Sequence, residues 1–543
     1  MAHNSSQWIN HSFGGGWATD YGQTFYGSPD GTDLTLPWLN KAENISYTLD
    51  GRITSAPGTD TLLVSGAITL PLRSMKYGQT LVRGLGPYSL LGSAPTTIIS
   101  VGEDLYEYGT FSITRIGSLP LDSNNSGHIV FSQFNDLLII TQNLTPPKSY
   151  DGTTFQSLAG SPAEFQISHK HRGRHWGANT ASNPSRLYYS VSGNPEDWSG
   201  AGSGSIDVDI GDGDEITGIY SFQGELFIFK GSTNLSIHRL TGSTSSDFAL
   251  VPFTRNISAA WQNCIFQYNN DLIFWSPFGS LHSLKTTDRY GNFIQSFLNY
   301  PILSWCQEHM GGTSEVWQAS VDPRKGYGVF NFYDSHERTS YQYGTSANNM
   351  TMMMDFRFMN DQNPYPRFAL WPYLKCHSVG LISNGATHSF YMGDEWGDVH
   401  NFNQIWSIDG SGNTYGHRET AIRSTVTTPF LTYGPPIETK TLVNVSVNLS
   451  PTAHDTTTVQ FNYANESGGV SEVSLSRSFG VPLDTFVLGT DSLAVESSRA
   501  IIYEPMAGEF RSAQYSLTVE EDKKFILDNF GVLITPSGES LES

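Results

Sequence analysis

Asn183–Leu240 reads NPSRLYYSVSGNPEDW, then the Gly/Ser linker SGAGSGS, then IDVDIGDGDEITGIYSFQGELFIFKGSTNLSIHRL. Arg186–Val191 is a short strand with two aromatics, Gly193-Asn194-Pro195 turns the chain, and Trp198 closes the turn with a large apolar body. Three strand signals follow, at Ile216–Phe222, Leu226–Lys230 and Leu235–Leu240, broken by Gln223-Gly224 and Gly231-Ser232. Glycine-containing breaks between β-rich runs signal hairpins. A strand-turn-strand-turn-strand unit of this length is one blade of a propeller or one meander of a sandwich.

The same unit recurs along the chain as a polar turn followed by a compact apolar strand. It appears at Glu103-Asp104, Asn135-Asp136, Gly173-Arg174, Gly224-Glu225, Asn270-Asp271, Lys325-Gly326 and Gly385-Ala386. Propeller blades repeat about every 40–50 residues, so the spacing predicts a divergent β-propeller of about seven blades. The alternative is a set of unrelated sandwich strands. The domain plan is an N-terminal arm with the first strands over 1–95, a propeller over 96–415, and a further β domain over 416–543. In the last of these, Leu442–Leu449 and Val459–Tyr463 alternate as half-buried antiparallel strands do, and Tyr515–Val519 and Phe525–Ile534 are candidate final strands. A short helix is expected from Pro301 to about Glu308.

Bulk properties agree with an all-β class. Only 15% of the 543 residues are charged, whereas Gly (53), Tyr (26) and Phe (31) are plentiful. Long helices need runs of Ala, Leu, Glu and Lys, which are scarce here. The balance of 51 acidic against 30 basic residues gives −21, which argues against gripping nucleic acid by its phosphates. It is compatible with letting a polyanion slide past. Three cysteines do not make a disulfide framework. No secretory signal and no apolar run of about 20 residues stands out, so a soluble chain made in the cytoplasm is expected.

Candidate chemistry is sparse. Asp207, Asp209, Asp212 and Asp214 form the densest group of oxygen ligands, yet the EF-hand spacing is absent. Strand alternation places Asp207 and Asp209 on one face, so a solvated acidic edge is preferred to a calcium loop. His169-Lys-His-Arg-Gly-Arg-His175 is the one basic island. Read as a single strand, it puts His169, His171 and His175 on one face and Lys170, Arg172 and Arg174 on the other. Zinc would need a fourth ligand, and the preferred reading has these cations meeting a neighbouring subunit's carboxylates or DNA phosphate. His336-Glu337 has Ser340 where a metalloprotease helix needs its second histidine. The pairs Glu196/Asp197 and Asp394/Glu395, with Trp371, Trp396 and Trp406, are the residues a carbohydrate-active protein would use. No catalytic, cofactor or metal residue is assigned.

The chain resembles the tail nozzle proteins of short-tailed (podovirus) bacteriophages, a family that includes the tail tubular B and packaged-DNA stabilisation proteins. The carriers are the early Gly-Gly-Gly, NISYTLDGRITSAPG (44–58), GRHWGA (173–178), Arg186–Ser190 with Asn194–Trp198, ITGIYSFQGELFIFK (216–230), Ser276–Thr287 with Tyr290-Gly291, and Thr428–Lys440. They are architectural and carry no catalytic fingerprint. The resemblance implies a structural protein of the virion tail, not an enzyme and without cofactor. It would form a homo-hexamer below the head-to-tail adaptor ring, near needle, fibre or tailspike proteins. Double-stranded DNA would be retained by it and pass through it at ejection without sequence recognition. The rival readings are a carbohydrate-binding or carbohydrate-cleaving propeller, such as a tail depolymerase or lectin, and a scaffold propeller of an ordinary cell.

Overall fold

The computed structural model describes residues 7–20, 24–26, 38–48, 50–57, 60–61, 82–109, 113–120, 129–142, 145–160, 164–231, 233–285, 297–310, 317–334, 349–359, 364–374, 376–384, 387–394, 399–401, 416–417, 420–433, 437–450, 456–478, 500–521 and 525–536. Among these, seven antiparallel blades succeed one another. Blade 1 is Val82–Tyr88, Thr96–Val101, Asp104–Tyr108 and Ile113–Ser118; blade 2 is Val130–Phe134, Leu137–Thr141, Lys148–Tyr150 and Phe155–Ser157. Blade 3 is Ile167–His171, Arg174–Ala178, Arg186–Tyr189 and Gly204–Asp207; blade 4 is Ile216–Phe222, Glu225–Lys230, Ser236–Thr241 and Ala249–Arg255. Blade 5 has three strands, Ile265–Tyr268, Asp271–Trp275 and Leu281–Ser283. Blade 6 is Gln318–Asp322, Tyr327–Tyr333, Asn349–Asp355 and Arg367–Leu370. Blade 7 is Cys376–Asn384, Thr387–Asp394 and Val399–Asn401, and its outer strand, Asp60–Thr61, comes from the N-terminal part of the chain.

First strands lie side by side around the ring, and that of blade 7 returns against Val82–Tyr88 of blade 1. Between blades 4 and 5 the contact includes Gln262, whose side-chain amide bonds both the N–H and the carbonyl of Ile219 at 2.8 and 3.0 Å. Among the described residues the blades therefore close into a seven-bladed propeller.

The recurring polar turns explain the blades locally. In blades 2 to 6 they join the first strand to the second, and in blade 7 the corresponding strands meet at Asn384↔Thr387 around residues outside the description. In blade 1 the Glu103-Asp104 turn lies one hairpin further out, between the second and third strands. Three of the turns close on two residues with left-handed backbone at both, Arg172-Gly173 (φ 47° and 69°), Gln223-Gly224 (φ 49° and 80°) and Asn269-Asn270 (φ 48° and 59°). That turn type matches the twist of the flanking strands.

The C-terminal region is a pair of packed sheets. One runs Ala500–Phe510, Lys440–Leu449, Ile526–Pro536, Ile53–Ser55, Ile45–Tyr47, with Gln7–His11 also on Ile526–Pro536. The other contains Phe430–Thr432, Ala513–Glu521, Thr420–Thr427 and Lys41–Glu43, with Thr456–Asn465 and Val470–Ser478 branching from Ala513–Glu521. Phe461 and Tyr515 from the second sheet pack on Phe530 of the first, ring centroids 5.8 Å apart in each case.

Two expectations change. The first blade starts at Val82, ahead of residue 96, and residues 7–57 supply strands to the sandwich instead of forming a separate arm. Those strands are mostly three residues long, too short to show a period of two, and apart from the local hairpin of Ile45–Tyr47 with Ile53–Ser55 their partners lie far along the chain. The expected helix is present as a 3-10 turn, Tyr300–Ile302, followed by Leu303–His309.

Candidate functional site

The four aspartates between blades 3 and 4 are engaged by groups of this chain. Asp207 receives Arg186, with Nη2 at 3.1 Å from Oδ2. Lys230, with no exposed side-chain surface, points its ammonium into the loop, onto the Asp209 carbonyl at 2.7 Å and onto the Asp212 carboxylate. Asp209 also faces His238 Nε2 at 3.4 Å and Arg255 at 3.7 Å, and Asp214 accepts the backbone N–H groups of Thr233 and Asn234. Burial pushes the Asp212 carboxyl up, but the Lys230 and Asp214 N–H bonds outweigh it and hold it below the usual range. The solvated acidic edge is thus an ion-paired loop. Asp209, with left-handed backbone (φ 41°), lies two residues past the end of the strand Gly204–Asp207. The ammonium of Lys230 already sits against the oxygens a metal cation would seek.

The basic island folds as a hairpin, so its faces differ from the single-strand reading. The turn at Arg172-Gly173 places His175 opposite Lys170, while His169 pairs with Trp176 and His171 with Arg174. Facing residues of an antiparallel pair share a side of the sheet, so His175 lies on the side away from His169 and His171. His171 Nδ1 is 2.7 Å from Ser221 Oγ, and His169 stacks on Tyr220 at 5.0 Å. Burial holds His171 down to about 4 and His175 to about 3, so both imidazoles are neutral near pH 7. The cations bond within the chain: Lys170 to Asn135 at 3.2 Å, Arg172 to the Gly242 carbonyl, and Arg174 to the carbonyls of Ser190 and Gly202 at 2.7 and 2.6 Å. Among the described residues no three His, Cys, Asp or Glu side chains gather as a metal site.

The carbohydrate-type candidates are dispersed. Asp197 caps its own turn, accepting the N–H groups of Ser199 and Gly200 at 3.2 and 2.8 Å beside Glu196. Trp371 is buried at 1% and donates to the Ile45 carbonyl at 2.7 Å. His336, Glu337, Ser340, Glu395, Trp396 and Trp406 lie outside the described residues, as does the side chain of Asp394. Ser280 and His282 bring a hydroxyl within 2.8 Å of an imidazole, but both are buried and burial holds the imidazole at about 3.

One cluster escaped the sequence reading. Asp355, without exposed surface, receives Arg357 through Nε and Nη2 at 2.8 Å each and faces Arg367 Nη2 at 3.6 Å. Its signal was an acid ending the buried apolar strand NMTMMMD, followed closely by two arginines.

No protein-family model and no curated protein matches this chain. Similar solved structures include the computationally designed Ika8 protein (8% identity, 60% of this chain and 97% of that one, TM-score 0.34). YCF48 from Cyanidioschyzon merolae gives 10% identity over 64% of this chain and 98% of its own, TM-score 0.34. An exo-β-1,3-galactanase from Phanerochaete chrysosporium gives 11% identity over 87% and 100%, TM-score 0.26. At such scores the likeness carries no argument about activity.

Proposed function

We propose that this chain is a structural protein of a short-tailed phage virion, a subunit of the hexameric tail nozzle that retains the genome and passes it at ejection. The observation that carries this reading is where the family-like segments fall. GRHWGA spans the second strand of blade 3, with Trp176 fully buried, and ITGIYSFQGELFIFK is the first hairpin of blade 4. NISYTLDGRITSAPG supplies two strands of the sandwich and contacts blade 6. These segments specify architecture, while the acidic loop and basic island are spent on in-chain bonds. The −21 charge supports a surface to which a transiting polyanion does not adhere.

The experiment is the mass and symmetry of the purified protein, alone and with its adaptor ring, by negative-stain imaging and light scattering. A six-fold ring with an opening that admits duplex DNA is the expected result. A monomer or trimer that persists with the adaptor present overturns the nozzle, and a glycan screen then tests the carbohydrate reading.

A further inference from the structure

The segment from Lys41 to Thr61 touches both sheets of the sandwich and the last two blades. Lys41–Glu43 lies between Arg367–Leu370 of blade 6, meeting it at Leu370↔Glu43, and Thr420–Thr427 of the sandwich. The hairpin of Ile45–Tyr47 and Ile53–Ser55 joins the other sheet through only two register pairs, Ile526↔Thr54 and Leu527↔Ile53. Asp60–Thr61 then completes blade 7. Such short ladders stand at the low-stability end of a fold unless side chains hold them.

Side chains do hold them: Asn44 and Arg52 bond the sandwich at Arg423, Ser450 and Asp528, and a second set comes from blade 6 and the turn that leaves it. Arg357 Nη2 donates to the Tyr47 carbonyl at 2.6 Å, Arg367 Nη2 to Thr48 at 3.3 Å, Trp371 Nε1 to Ile45 at 2.7 Å, and the Tyr373 hydroxyl to Pro57. In return the Tyr47 hydroxyl donates to the Phe368 carbonyl at 2.9 Å. Arg367 is 2% exposed, its guanidinium lying 4.6 Å from the Tyr47 ring centroid and 3.1 Å from that of Phe358. Asp355 is the carboxylate these two arginines share, offsetting one of their two positive charges from within. A buried ion cluster is a poor way to gain stability, since apolar groups of equal volume serve as well or better, but removing one partner leaves charge uncompensated.

We propose that this segment is a releasable strap. Its grip on blade 6, pinned by Asp355 between Arg357 and Arg367, couples the propeller to the sandwich. Loss of the pin frees the strap and the outer edge of blade 7 while blades 2 to 4, which the strap's hydrogen bonds do not reach, stay folded. This coupling stands apart from whatever assembly the chain enters.

The test is native-state hydrogen exchange by mass spectrometry on the full chain and on Asp355→Asn. Amides of 41–47 and 53–55 should exchange about tenfold faster or more, with those of blades 2 to 4 changing less than about twofold. Acceleration spread evenly over the chain, or an unchanged strap, overturns the proposal. Should Asp355→Asn fail to fold, Trp371→Phe removes one donor to the strap and leaves every charge in place. It should give a smaller acceleration confined to the same amides, and an even or absent change sinks the strap.

Discussion

His175 is fully buried against Phe134, Phe165 and Trp198, and neither ring nitrogen has a hydrogen-bond partner among the described residues. Burial first, then the neighbouring His169, holds it to about 3, whereas an unfolded histidine titrates near 6.5. Between those values the unfolded chain binds the extra proton, so the stability due to neutral His175 is present above about pH 6.5 and drains away as pH falls toward 3. His171 and His282, held down to about 4 and 3 by burial, act in the same direction. His175→Leu should therefore weaken the loss of stability between pH 6.5 and 4. At pH 7 it should shift stability by no more than about 1 kcal/mol, because an unsatisfied polar group is exchanged for an apolar one. Urea unfolding at pH 7, 5 and 4 checks this, and an unchanged acid slope removes His175 from the account.

At the scale of the element, the loop between blades 3 and 4 separates two kinds of ion pair. Lys230 has no exposed side-chain surface, whereas Arg186 and Asp207 keep 33% and 40% of theirs. Lys230→Met leaves Asp209 and Asp212 without the ammonium at the loop's centre and should cost about 3 kcal/mol, by analogy with other broken buried pairs. Arg186→Ala should cost about 1 kcal/mol or less, as partly exposed pairs do. Equal urea midpoints for the two variants would show that burial does not rank them. The same loop shows what was legible. The paired turns and apolar strands of blades 3 and 4 were readable because β-hairpins are local, and Trp198 does cap its turn, donating to the Pro195 carbonyl at 2.9 Å. The partners of the aspartates were not readable, since Lys230 belongs to the next blade and Arg186 to the strand across from Asp207. The histidines were misassigned because alternation was carried through Arg172-Gly173, a turn whose glycine was the available signal.

For the whole molecule, strands far apart in sequence share a sheet, with Gln7–His11 on Ile526–Pro536, and blade 7 closes with Asp60–Thr61. Nothing in a local pattern reports pairings across such separations, which is why the N-terminal arm looked independent. The charge, by contrast, is a global property that composition gives directly, and it bears on assembly. Six copies of a −21 chain carry −126 formal charges, so ring formation works against long-range repulsion. Salt shortens the Debye length from about 30 Å at 0.01 M to about 8 Å at 0.15 M, which screens that repulsion while leaving buried apolar contacts intact. In the proposed nozzle, self-association should therefore strengthen as salt rises over this range, opposite to an assembly held by surface ion pairs, and duplex DNA should not be retained at either end. Sedimentation velocity at both ionic strengths, with and without duplex DNA, makes the comparison. Association that weakens with salt would place complementary charges at the subunit contacts. DNA held at low salt and released at high salt would mean that cations line the path, and the acidic conduit would then have to be abandoned.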